Sequence, residues 1–168
     1  AYGKIILSDE TSEFLSKRLS SIKDSLTRAL VWKAIQGMVK TCRIKSTVYY
    51  EFIKNNIHEE NQSMLIETVL SVAAALVGAY VPDEKYEEVT GEMFDYIYKM
   101  LLEEKREALI PVFTNALFNF LHSEEHVKRS IEWLKVGAVL DTSNKNKING
   151  TDLTDTNKHS ILKAVHSK

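Results

Sequence analysis

Apolar positions recur at helical spacing along nearly the whole chain, and strand-like alternation is rare. Between residues 25 and 42, Val31, Ile35, Met38 and Cys42 step at i, i+4, i+7 and i+11, while Lys33, Gln36, Gly37 and Lys40 fall on the other side. That spacing predicts a helix from Ser25 to about Thr41, with Asp24 placed to cap its first turn and Cys42 continuing the buried stripe. A shorter helix precedes it, capped by Asp9 or Thr11 and reaching about Leu19. Ser46 opens the next, which turns Tyr49, Phe52, Ile53 and Ile57 inward. From about Glu60 to Ala79 the chain is apolar enough to predict a helix buried on most sides, ending at the Pro82-Asp83 turn.

Asp83 then caps a long amphipathic helix. Tyr86, Val89, Met93, Tyr96, Ile97, Met100 and Leu101 make its inner stripe; Glu84, Glu87, Glu88, Glu92 and Asp95 line the outside. Pro111 stands early in the following segment, where a first turn tolerates it, and Phe113, Ala116, Leu117 and Phe120 carry the apolar face. Ser123 caps a helix running from Glu124 to about Val139. A polar loop, residues 141–154, leads to a last helix from about Asp155 to His166. Short connections between helices of ten to twenty residues make neighbours antiparallel, so the expected fold is all-α. It is an irregular stack of αα-hairpins of the HEAT or armadillo kind. The one exception is Gly3 to Leu7, which has the look of a short strand whose partners would lie upstream.

Composition agrees with this reading. The 168 residues contain only 6 Gly and 2 Pro, few turn-formers for a chain of this length, and 27% are charged, the profile of a globular helical domain covering residues 1–168. Positive and negative side chains nearly cancel, at 22 and 23, which gives no reason to expect nucleic acid as a partner. The balance is uneven: residues 1–56 carry +5, residues 57–107 carry −8 and the remainder +2. Val69 to Val81 is thirteen residues long with only Ser71 polar, short of the roughly 20 a bilayer needs, so no membrane span is expected. No secretory pattern opens the chain, and a cytoplasmic location is the expectation.

Candidate chemistry is sparse. His58-Glu59-Glu60-Asn61-Gln62 begins like the H-E-x-x-H zinc motif but has Gln62 where the second imidazole must stand. His122-Ser123-Glu124-Glu125-His126 spells the inverted form, yet Ser123 as a cap places His122 outside the helix that carries His126. Cys42 beside Arg43 is expected to be a buried structural thiol. His159 and His166 lack a third ligand or a base partner, and no phosphate-binding or nucleophile-elbow motif occurs. No catalytic, cofactor-binding or metal-binding residue is therefore assigned.

Tyr2-Gly3-Lys4-Ile5-Ile6-Leu7, followed by Asp24-Ser25-Leu26-Thr27-Arg28-Ala29-Leu30-Val31-Trp32 and Met38, resembles the start of the C-terminal helical domain of the aminopeptidase N family of zinc aminopeptidases, which includes the puromycin-sensitive and endoplasmic-reticulum enzymes. In that family a Tyr-Ala-Lys-Val-like strand leads into a helix, and an Asp-x-Leu-x-Arg-Ala-Leu-x-Trp helix follows. Gly3 stands for the small residue here. The resemblance implies an excised part of a larger C-terminal domain: the H-E-x-x-H site, its distant Glu ligand and the G-x-M-E-N motif belong to an upstream catalytic domain and are absent from this chain. It further implies a non-catalytic domain that encloses the active-site cavity and helps bind or select peptide substrates, with zinc held only by the upstream part.

Within the matched stretch, Asp24, Arg28 and Trp32 are the residues to follow into the structure. The four-residue spacing of the first two allows an ion pair in the first turn, and Trp32 is expected to anchor the core. The alternative to the peptidase reading is a free-standing HEAT-like scaffold that binds proteins.

Overall fold

A computed structural model describes residues 5–167, and the chain divides after Val81 into two compact units. It is mostly helical, as the apolar periodicity requires. In the first unit, α1 (Asp9–Arg18) runs into a 3₁₀ turn (Leu19–Ser21), followed by α2 (Ser25–Lys40), α3 (Ser46–Asn56), a second 3₁₀ turn (Ile57–Glu59) and α4 (Ser63–Tyr80). Helix α3 packs against α1, α2 and α4, so its inward side chains Tyr49, Phe52 and Ile53, with Ile57 from the turn that follows, form the centre of this core. The strand expected at Gly3 to Leu7 is not found where it can be tested: Ile5 to Leu7 have no regular structure, and Gly3 and Lys4 lie outside the described residues.

Helix ends follow local chemistry. Ser8, rather than Asp9 or Thr11, caps α1, its hydroxyl accepting the Thr11 N–H at 3.2 Å. Asp24 caps α2 by accepting the Thr27 N–H at 2.7 Å. The C-terminus of α2 closes with two backbone bonds, Cys42 N–H to Val39 O at 2.8 Å and Arg43 N–H to Met38 O at 2.9 Å. That paired closure needs a left-handed residue, and Cys42 takes the role with φ 55°. Helix α4 buries Ile66, Val69, Leu70, Ala73, Leu76 and Val77 along one side, not on most sides. Its other side shows Ser71, Ala75, Gly78 and Ala79, which are small enough to stand in water at little cost. By length and composition α4 is long and apolar enough to cross a membrane.

The second unit begins with α5 (Asp83–Glu103), where Asp83 is the first helical residue and Pro82 the cap position. Then come α6 (Ile110–Phe118), α7 (Glu124–Val136), β1 (Ala138–Leu140), β2 (Lys147–Asp152) and α8 (Asp155–His166). Helix α5 packs on α6, α7 on α8 and on β1, and α6 on both β2 and α8. Of the expected stripe, α5 buries Met93, Ile97 and Leu101 and leaves Tyr86, Val89, Tyr96 and Met100 half-buried; it also buries Thr90, Phe94 and Tyr98. Trp133 from α7 is fully buried among Phe94, Tyr98 and Phe118, with ring centroids 5.5 to 6.2 Å apart.

Residues 138–152, expected as the end of a helix and a polar loop, form an antiparallel hairpin pairing Ala138 with Asp152 and Leu140 with Lys147. Gly137, at φ 76°, stops α7 three residues earlier than predicted. The turn is built around Asp141, whose carboxylate accepts the Ser143 hydroxyl at 2.7 Å, the Asn146 amide at 2.8 Å and the N–H groups of Lys145 and Asn146. These donors hold its carboxyl far below the usual range, the Ser143 hydroxyl contributing most.

Candidate functional site

The matched stretch supplies the best-defined polar constellation of the first unit. Asp24, Arg28 and Trp32 step at four-residue intervals along the start of α2, so all three lie on neighbouring positions of one face. Asp24 does not pair directly with Arg28. Its oxygen is taken by the N–H and the hydroxyl of Thr27, and these, hydroxyl first, lower its carboxyl below the ordinary value. Arg28 turns instead to Glu60, beyond α3: its Nε lies 3.1 Å from both carboxylate oxygens, and its Nη1 donates to the carbonyls of Ile22 at 2.9 Å and Lys23 at 3.1 Å. Trp32 is only 1% exposed and its indole N–H donates to Glu60 Oε1 at 3.1 Å.

Glu60 is thus the hub, 2% exposed and bonded to two side chains of α2. Phe52 and Tyr49 meet the Trp32 ring edge-on, at 4.9 and 6.3 Å between centroids. Asn56 extends the network: its Oδ1 accepts the Leu19 N–H at 3.1 Å, and its Nδ2 donates to the carbonyls of Ser16 and Phe52. A cleft of about 280 Å³, lined among others by Arg28, Asn56 and Glu60, opens beside these groups. Chemically the constellation is balanced. The guanidinium and the carboxylate neutralise each other, and their hydrogen-bonding atoms face the protein, so the arrangement clamps the loop before α2 and the turn after α3 onto one helix.

The other candidates separate in space. Cys42 is exposed rather than buried, because α2 ends before the apolar stripe reaches it. His58 is half exposed with Glu59 3.5 Å away. His122 packs its ring edge on Tyr86, at 4.6 Å between centroids. His126 is buried; it stacks on Phe94 at 4.1 Å and its Nε2 lies 3.0 Å from Asp95 Oδ1. The two imidazoles of the inverted zinc pattern therefore have different neighbours, with Ser123 capping α7 between them. His166 turns its Nδ1 toward the Leu162 carbonyl, and His159 is exposed. Among the described residues no three His, Cys, Asp or Glu side chains converge to hold a metal ion.

Sequence reasoning missed Glu60, Asn56 and the Asp95–His126 contact. A carboxylate next to the apolar run of α4 was visible, but its partner lies 32 residues back and no local spacing rule reaches it. No family model matches the chain, and no curated protein matches it.

Proposed function

We propose that this chain is a non-catalytic helical domain of a zinc aminopeptidase, one that encloses the active-site cavity and helps bind or select peptides. The observation that supports the reading is the stretch Asp24 to Trp32: an Asp-x-Leu-x-Arg-Ala-Leu-x-Trp pattern in which every named polar residue has a structural task. Asp24 starts the helix, Arg28 ties it to Glu60, and Trp32 seats it in the core. The mostly helical architecture suits a domain that arches over a neighbour. On this reading the partner is an upstream catalytic domain of the same chain. Zinc and the hydrolytic groups belong to that domain, and release of N-terminal amino acids happens there.

The test is direct. The coding sequence upstream of residue 1 should contain H-E-x-x-H with a Glu about twenty residues later. Purified residues 1–168 should leave aminoacyl-coumarin reporters uncleaved, with or without added zinc, while a chain carrying both parts cleaves them. An upstream sequence without that motif defeats the proposal.

A further inference from the structure

Helix α2 has a second face that the core does not use. Leu26 is 68% and Leu30 42% exposed, and they stand one turn apart on the side away from α3 and α4. Continuing along the helix, Leu30, Gly37 and the largely buried Ala34 floor a groove of about 390 Å³, walled by Ile5 of the segment before α1, with Lys33 and Lys40 on its rim. Both lysines are exposed, and no carboxylate of the described residues pairs with either. Gly37 is the odd member. A side chain there would meet nothing within 4 Å, so packing does not demand glycine, yet glycine inside a helix costs about 1 kcal/mol relative to alanine. Its missing Cβ keeps the groove deep.

We propose that this groove docks an acidic amphipathic helix of a partner protein, laid along α2. Lys33 and Lys40 are seven residues apart, which is about 10.5 Å along the helix axis. Two carboxylates seven residues apart on a parallel or antiparallel partner helix match that interval, with the apolar residues between them seated on Leu30, Ala34 and Gly37. The small side chains at 34 and 37 permit the close axial approach that such packing needs. The charge is right as well, and it is local: Lys33 and Lys40 place two positive charges along the groove of a first unit whose net charge is only +2, so an acidic segment is attracted there and a basic one repelled. This site is separate from the aminopeptidase reading and stands or falls without it.

The probe is a fluorescein-labelled peptide about 18 residues long, helical in water, with Leu at i and i+4 flanked by Glu seven apart, titrated with the whole chain and followed by anisotropy. It should bind saturably, and its Glu→Lys counterpart should not. Lys33→Glu with Lys40→Glu should weaken the acidic probe roughly tenfold at low salt and restore binding of the basic one. Gly37→Leu, a substitution that suits the helix better than glycine, should abolish binding while the far-ultraviolet circular dichroism stays unchanged. No saturable binding, or binding indifferent to charge reversal, overturns the proposal. So does equal binding of a proline-interrupted probe of the same composition, which assigns the groove to an extended segment. Self-association of the wild-type chain that Gly37→Leu removes assigns it to a second copy instead.

Discussion

Removing the Glu60 carboxylate should be among the most damaging single changes in the first unit. Glu60→Ala leaves the Arg28 guanidinium, whose side chain is 13% exposed, and the buried Trp32 indole N–H without their shared acceptor. Breaking a buried pair by deleting one partner costs roughly 3–5 kcal/mol. Arg28 keeps the carbonyls of Ile22 and Lys23 and a little water, which puts the expected loss at the low end, about 3 kcal/mol. Glu60→Gln keeps the shape and one acceptor oxygen but surrenders the charge, for about 1.5 kcal/mol. Replacing both partners, Arg28→Met with Glu60→Leu, should cost less than Glu60→Ala alone, because no charge is then left buried and unpaired. Urea titrations of wild type, Arg28→Met, Glu60→Leu and the double change, followed by far-ultraviolet circular dichroism, supply the four corners of the cycle, and each kcal/mol corresponds to about 4–8 °C in melting temperature for a unit of this size. If Glu60→Ala costs less than about 1 kcal/mol, or the single changes add without coupling, the clamp is not what holds α2 in place.

Cys42 offers a test of backbone strain. At φ 55° it occupies the position where glycine closes helices without cost, so Cys42→Gly should raise stability by about 1 kcal/mol in thermal melts, and the native thiol should react fully with Ellman's reagent without denaturant. A protected thiol or a destabilised glycine variant contradicts the assignment. Asp141 gives a pH dependence. Its folded value is depressed, so its contribution is complete above the ordinary value of 3.8 and is lost as pH falls below it. Asp141→Asn should therefore differ from wild type in urea midpoint near neutrality and converge with it on acidification. A difference that stays constant from about pH 5 to about pH 2 refutes this.

What the sequence made legible is what depends on near neighbours. The limits of α2, the caps at Asp24 and Ser123 and the outward carboxylates of α5 all follow from spacing within one or two turns. The failures share the opposite property. Ser8, Asp9 and Thr11 are all competent caps within four residues, and only the bond from the Thr11 N–H to Ser8 decides between them. Cys42 continues the apolar stripe arithmetically, but α2 ends with no glycine to announce it. Strand β2 reads Lys-Ile-Asn-Gly-Thr-Asp, with no alternation to reveal a strand, because it is held mainly by backbone pairing and by Thr151, whose hydroxyl bonds to the carbonyls of Ile148 and Val139.

Arg28 shows why a local rule misleads at the centre of the matched stretch. The four-residue spacing favours Asp24 as its partner, yet an exposed pair of that kind is worth only about 0.3–0.5 kcal/mol. Asp24 bonds instead to Thr27, where it satisfies helix N–H groups that water would otherwise have to reach. The guanidinium gains more from a buried carboxylate that accepts its Nε on both oxygens and also binds Trp32. Asp24, Arg28 and Trp32 therefore occur together because one helix needs a start, a clamp and an anchor at successive turns. Such a stretch identifies an architecture before it identifies a reaction. The peptidase reading is accordingly tested in the coding sequence before residue 1, while the Glu60 cycle examines the architecture in this chain alone.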